Sequence, residues 1–212
     1  MKKQQGFTLI EIAIVLVIIG LLLGGILKGQ EMITQGKIKN AISDFNGVQA
    51  AYYGYQDRYR AAPGDDPNAG TRWSGTTPGN GDSIVQGTYN AACTTAPTTE
   101  SCMFWTHLRL AGFVAGSGAL QPNNNAGGIV GVQTGDGAGS TALSFSGLII
   151  CSSNLPDRIA IAVDQQLDDG LMASGQIRAV LNTAPNPSIP ASTAVTAYQE
   201  TGANQYTLCK TL

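Results

Sequence analysis

Residues 2–27 run KKQQGFTLIEIAIVLVIIGLLLGGIL. From Phe7 to Leu27 the only charged residue is Glu11. A helix rises about 1.5 Å per residue, so these 21 residues are long enough to cross the hydrocarbon core of a bilayer. Lys2 and Lys3 precede the run, which places the N-terminus in the cytoplasm and the remainder outside. Lys28, Lys37 and Lys39 follow it and weaken that asymmetry. A secretory signal would carry a small-residue cleavage site after its apolar core. The following stretch, KGQEMITQGKIKNA at 28–41, has no such A-x-A pattern. A plain membrane anchor accounts for length and hydropathy but not for Glu11. A lone carboxylate in hydrocarbon costs about 3 kcal/mol or more and usually has a partner. No partner is evident within the span. A cut after Gly6 would create an α-amino group at Phe7, able to pair with Glu11 of the same chain or of a neighbour.

The pattern continues beyond the apolar run. Ile38, Ile42, Phe45, Val48, Tyr52, Tyr55 and Tyr59 recur at spacings of three and four, the signature of one helix face packed on a core. Pro63-Gly64 ends that helix. The cluster of Tyr52, Tyr53, Tyr55 and Tyr59 is read as helix–sheet packing. Residues 61–147 are irregular. PGDDPNAG at 63–70, PGNGDS at 78–83 and QPNNNAGG at 121–128 mark turns. Between them MFWTHLRLAGFVAG at 103–116 reads as a short helix, and for 117–141 low-complexity disorder is a competing reading. From Leu143 the runs LSFSGLIIC, RIAIAVD (158–164), IRAVL (177–181), AVTAYQ (194–199) and YTLC (206–209) read as strands separated by turns.

Composition limits the function. The chain has 212 residues, 12% of them charged, a formal net charge of −2 and 27 glycines. No basic surplus points to nucleic acid. Cys93, Cys102, Cys151 and Cys209 contain no C-x-x-C pair, and the single His107 completes no zinc site. Disulfides, and an oxidising compartment, are the better reading. Of three pairings, Cys93–Cys102 closes a short loop and Cys151–Cys209 ties a central strand to the C-terminus; these are favoured. His107 lies in an apolar stretch and reads as a packed side chain. There is no G-x-S-x-G elbow and no phosphate-binding G-x-x-x-x-G-K-[ST] loop, so the chain is not read as an enzyme. Asp65, Asp66, Asp82, Asp168 and Asp169 lie in glycine- and asparagine-rich loops. They are candidate calcium ligands, with turn-capping as the competing role. None sits in an EF-hand loop.

The stretch KKQQG/FTLIEIAIVLVIIGLLLGG resembles the class III signal of type IV prepilins and of type II secretion pseudopilins. The resemblance covers about 25 residues and rests on a short basic leader, Gly6–Phe7, Glu11 and an uninterrupted apolar run. It implies cleavage after Gly6 by a prepilin peptidase and N-methylation of Phe7 by the same enzyme. It also implies a buried assembly role for Glu11. Many pilins carry a proline near the end of this segment; here Gly20, Gly24 and Gly25 occupy the region, and glycine weakens helix there. The expected architecture is α+β and pilin-like: leader 1–6, membrane or filament-core helix 7–27, amphipathic helix 28–60, and a head 61–212 with a C-terminal antiparallel sheet. The expected product is a homo-oligomeric helical filament. It starts as a single-pass inner-membrane protein with a periplasmic head, served by an assembly platform and a separate ATPase, and ends as an extracellular or periplasmic fibre. The alternatives are a type II secretion pseudopilin and a monomeric membrane-anchored binding protein.

Overall fold

The computed structural model describes residues 8–135, 142–190 and 196–212. The chain divides into two compact units, Met1–Lys37 and Ile38–Leu212. Helix α1, Leu9–Tyr59, is continuous across that boundary. It passes through Gly20, Gly24 and Gly25 without a break.

In the first unit the helix is apolar all round. An 18-residue window reaches a mean hydropathy of 2.9, and none of it is buried. Leu9, Leu16, Leu21 and Leu27 are all exposed. A helix of this kind requires lipid or other helices around it.

In the second unit α1 presents one stripe inward. Ile38, Ala41, Phe45, Val48, Ala51 and Tyr55 are buried, at spacings of three and four. The helix ends before Pro63, where Arg60 adopts a positive φ of 55°. Then come α2 (Ala69–Arg72), α3 (Glu100–Leu110), β1 (Val130–Thr134), β2 (Leu148–Pro156), α4 (Asp157–Leu167), β3 (Ile177–Leu181) and β4 (Gln205–Thr211). The four strands form one antiparallel sheet in the order β1-β2-β4-β3. Together with the long apolar helix they make the expected α+β arrangement.

Both sheet faces are covered, which explains why β2 reads as the near-continuous apolar run LIIC rather than an alternation. Ile150, Ile177, Ala179, Tyr206 and Leu208 join Phe45, Tyr55, Phe104, Trp105 and Leu108 in the main core. Ile149, Cys151, Val180 and Cys209 point the other way and are covered by Tyr89, Leu143 and Ile189 from loops. Two disulfides are present. Cys151 and Cys209 are register partners on β2 and β4, with Cα atoms 4.0 Å apart. Cys93–Cys102 ties a loop to α3, with Cα atoms 5.4 Å apart.

Three expectations are corrected. RIAIAVD at 158–164 is helical, within α4, not a strand. Its Ile-Ala alternation imitates a two-residue period. Ile159, Ala160, Val163 and Asp164, however, share one buried helix face, and Pro156 and Asp157 suit a helix start. Within 117–141, where low-complexity chain is the competing reading, Val130–Thr134 forms the edge strand β1. Its glycine is required: a Cβ on Gly131 would collide with the Tyr89 carbonyl that crosses it. In the run at 194–199, residues 194 and 195 lie outside the described residues and 196–199 form no strand. The run at 143–151 becomes strand only from Leu148, whereas the helix expected near 103–116 is α3.

Candidate functional site

The N-terminal candidates divide at residue 8. Gly6 and Phe7 lie outside the described residues. Glu11 is described, and it has a local partner that the sequence analysis did not find. Thr8 donates its backbone N–H to Glu11 Oε2 at 2.7 Å and its hydroxyl to the same oxygen at 2.7 Å. The Glu11 N–H returns to Thr8 Oγ1 at 3.3 Å. This is a reciprocal capping box, and its T-x-x-E signature at Thr8–Glu11 is legible in the sequence. It fixes the carboxylate at the first turn of α1, where unpaired N–H groups favour negative charge.

The turn leaving α1 builds the first acidic group. Oxygen atoms of Asp65, Asp82 and Glu100 lie within 4.8 Å of one another. Asp65 is buried and accepts three amides: Gly81 N–H at 2.6 Å, Asp82 N–H at 3.1 Å and Ser83 N–H at 2.8 Å. Glu100, at the start of α3, accepts Asn80 N–H at 3.2 Å and Gln86 N–H at 2.9 Å. The loop 79–86 is thus wrapped around two buried carboxylates. Gly79 is needed for that approach, since a Cβ there would strike the Asp65 backbone. Asp82 is exposed, and the Ile84 amide holds its carboxyl below the usual range. Asp66 stands apart from this group. It accepts the Tyr55 hydroxyl at 2.6 Å and Asn68 N–H at 2.9 Å, and it pairs with Arg72. It ties α1 to α2.

A second acidic group contains a residue that the sequence reading missed. Asp164 of α4 joins Asp168 and Asp169, again with oxygens within 4.8 Å. Asp164 is fully buried. Tyr198 donates its hydroxyl at 2.6 Å and Gly170 its N–H at 3.3 Å. Burial pushes the Asp164 carboxyl up to about 6, and the Asp169 and Asp168 charges add to the rise. Asp168 accepts Ile177 N–H at 2.8 Å, fixing the entry to β3. Asp169 accepts Ser174 Oγ at 2.6 Å and Leu171 N–H at 2.8 Å; the Ser174 bond is the main reason its carboxyl is lowered. The signal for Asp164 was its position four residues before Asp168. That relation appears only when the segment is taken as helix.

His107 is fully buried, and both ring nitrogens are engaged. Nδ1 accepts Gly64 N–H at 2.9 Å, and Nε2 lies 3.1 Å from the Thr77 carbonyl. The proton therefore sits on Nε2, and burial lowers the imidazole's pKa. The ring stacks near Tyr55 with centroids 6.3 Å apart. It holds the 63–66 turn and the 76–78 loop to α3.

Comparison with known proteins adds one finding. The family model described as the prokaryotic N-terminal methylation motif matches residues 1–27. Neither the curated proteins nor the solved structures gave a match.

Proposed function

We propose that this chain, whose first 27 residues carry the methylation motif of the type IV pilin and pseudopilin family, is the structural subunit of a type IV pilus or a related filament. A membrane peptidase cuts between Gly6 and Phe7 and methylates the new Phe7 amine. The apolar part of α1 anchors the chain in the membrane before assembly; the periplasm is the proposed location of the head. On extraction, that helix exchanges lipid for the same helix of neighbouring copies. Repetition of one such contact without closure gives a helical fibre. An assembly platform and a separate ATPase would drive the step.

The observation that carries this reading is the carboxylate at the head of an exposed apolar helix. Glu11 directs two hydrogen bonds from Thr8 to one oxygen, Oε2. The pair keeps the charge at the helix start, where the Phe7 amine of a neighbour can meet it and set the axial register. Both a surface pilus and a short periplasmic pseudopilus for type II secretion use this N-terminus. A membrane-anchored monomer would need neither the cut nor Glu11.

N-terminal sequencing and intact mass of material sheared from cells test the reading. The expected species begins at methylated Phe7. A Met1 start in an abundant fibre would overturn it. Glu11→Ala should still be cut yet give few or no fibres, whereas normal fibre yield would remove the assembly role of Glu11. Fibres at the cell surface favour a pilus; loss of secretion on deletion, without surface fibres, favours a pseudopilus.

A further inference from the structure

Among the described residues, charges are matched almost completely. Every acidic side chain but one accepts a hydrogen bond or joins an ion pair; the exception is Asp44 on α1. Every Lys or Arg but two reaches a carboxylate, a carbonyl, an amide oxygen or an aromatic ring; the exceptions are Lys37 and Lys39, on the same helix. Asp44 is half-buried, and burial alone raises its carboxyl above the usual range. A carboxylate withdrawn from water without a cation or a donor is costly, and a basic partner relieves that cost.

Asp44 lines a cleft of about 260 Å³ whose other walls are mostly apolar, among them Val48, Trp105, Phe113 and Val130. Gly47 forms part of the α1 side, and a Cβ placed there would meet nothing within 4 Å. An open apolar trough with one carboxylate fits a side chain that has an apolar stem and a cationic head, as lysine has.

Helix geometry selects the lysine. At about 100° and about 1.5 Å per residue, Lys37 lies on the same side of α1 as Asp44, whereas Lys39 lies about 140° round the helix and about 7.5 Å along it. One chain therefore cannot pair Lys39 with its own Asp44, but two parallel copies side by side can present them to each other. The contact uses a different patch on each copy, so it repeats along a fibre without closing. Its stagger also suits the N-terminal pairing. Phe7 and Glu11 are four residues apart, and Lys39 and Asp44 are five. One displacement along the helix axis serves both pairs.

We infer, with the filament reading as premise, that the Asp44 cleft receives the Lys39 side chain of a neighbouring copy of this chain. The lysine stem lies over Trp105 and Phe113, and its ammonium pairs with Asp44 where water is largely excluded.

The test treats fibres sheared from cells making the full chain with a carbodiimide, which joins a carboxylate to an amine in direct contact. Denaturing gels and peptide mapping then read the products. Covalent multimers linked from Asp44 to Lys39 are the expected result. Lys39→Glu and Asp44→Lys should each lower fibre yield by about tenfold or more, because like charges then meet at the cleft. The double variant should restore much of that yield. Gly47→Leu fills the open side of the cleft while favouring helix, so it should keep the melting temperature and still lose fibres. Lys39 is exposed, so Lys39→Glu should also keep the melting temperature, which separates a lost contact from a lost fold. Parent fibres without an Asp44–Lys39 link, a link from Asp44 to another lysine or another protein, or normal fibre yield from Lys39→Glu would overturn the pairing and leave the filament reading standing. A parent chain that forms no fibres would overturn both.

Discussion

The two units of this chain treat apolar residues in opposite ways. In Met1–Lys37 the helix carries Leu, Ile and Val on every side, and none of its most apolar stretch is buried. In Ile38–Leu212 the same helix narrows to one apolar stripe, and that stripe is buried in a core with the sheet. The first segment has no apolar cover among the described residues and requires lipid or other helices around it. The second is stabilised by its own fold. Hydropathy alone therefore describes two different physical states, and only the spacing of the apolar residues separates them.

The largest effect that sharpens this contrast is a pair of truncations. Phe45→Ala opens a cavity in the head and should lower unfolding stability by about 3–5 kcal/mol. Leu16→Ala, on the exposed part of α1, should change it by less than about 0.5 kcal/mol. Denaturant titration of the full chain in detergent measures both, and similar losses for the two would erase the distinction between the units. Next come the disulfides. Cys151–Cys209 closes 58 residues and Cys93–Cys102 closes 9. The chain-entropy relation gives about 4 kcal/mol for the first and about 2.5 kcal/mol for the second. Paired Cys→Ser variants should follow that order, and the reverse order would show that local strain outweighs loop closure.

The smallest expected effect depends on pH. Asp164 is held at about 6 in the folded chain against an ordinary value of 3.8. The folded state therefore takes up its proton first as pH falls. Stability contributed by that proton is fully present below the ordinary value and is lost as pH rises through about 6. Asp164→Asn removes the buried charge while keeping an acceptor for Tyr198. It should be more stable than the parent by about 1 kcal/mol at pH 8, and the gap should shrink as pH falls through about 6 and close only near the ordinary value of 3.8. Thermal melts across that range check it; a gap that is flat with pH would mean that Asp164 does not titrate in this window.

Local patterns made α1 and α3 readable. Spacings of three and four put Phe45, Val48 and Tyr55 on one face, and Phe104, Trp105 and Leu108 are too apolar to stay exposed. The α4 segment misled because Ile-Ala-Ile-Ala satisfies the periods of both helix and strand, and its length and Pro156–Asp157 start had to arbitrate. Val130–Thr134 escaped because its two-residue alternation is interrupted by Gly131, whose purpose appears only when the Tyr89 backbone crosses it. Of the candidate acids, Asp65 and Asp82 come together, as do Asp168 and Asp169, whereas Asp66 goes to Arg72 and Tyr55 instead. No local rule tells two adjacent aspartates which will hold the 79–86 loop and which will tie α1 to α2.

The sequence by itself determined the membrane-length run, the acidic residue inside it and the T-x-x-E cap, because each depends on neighbours within one or two helical turns. Only the tertiary structure decided that Glu100 completes the acidic group of Asp65 and Asp82 and that His107 binds two loops. Those arrangements join residues tens of positions apart, and their partners are set by how the sheet, α3 and α4 pack rather than by any pattern along the chain.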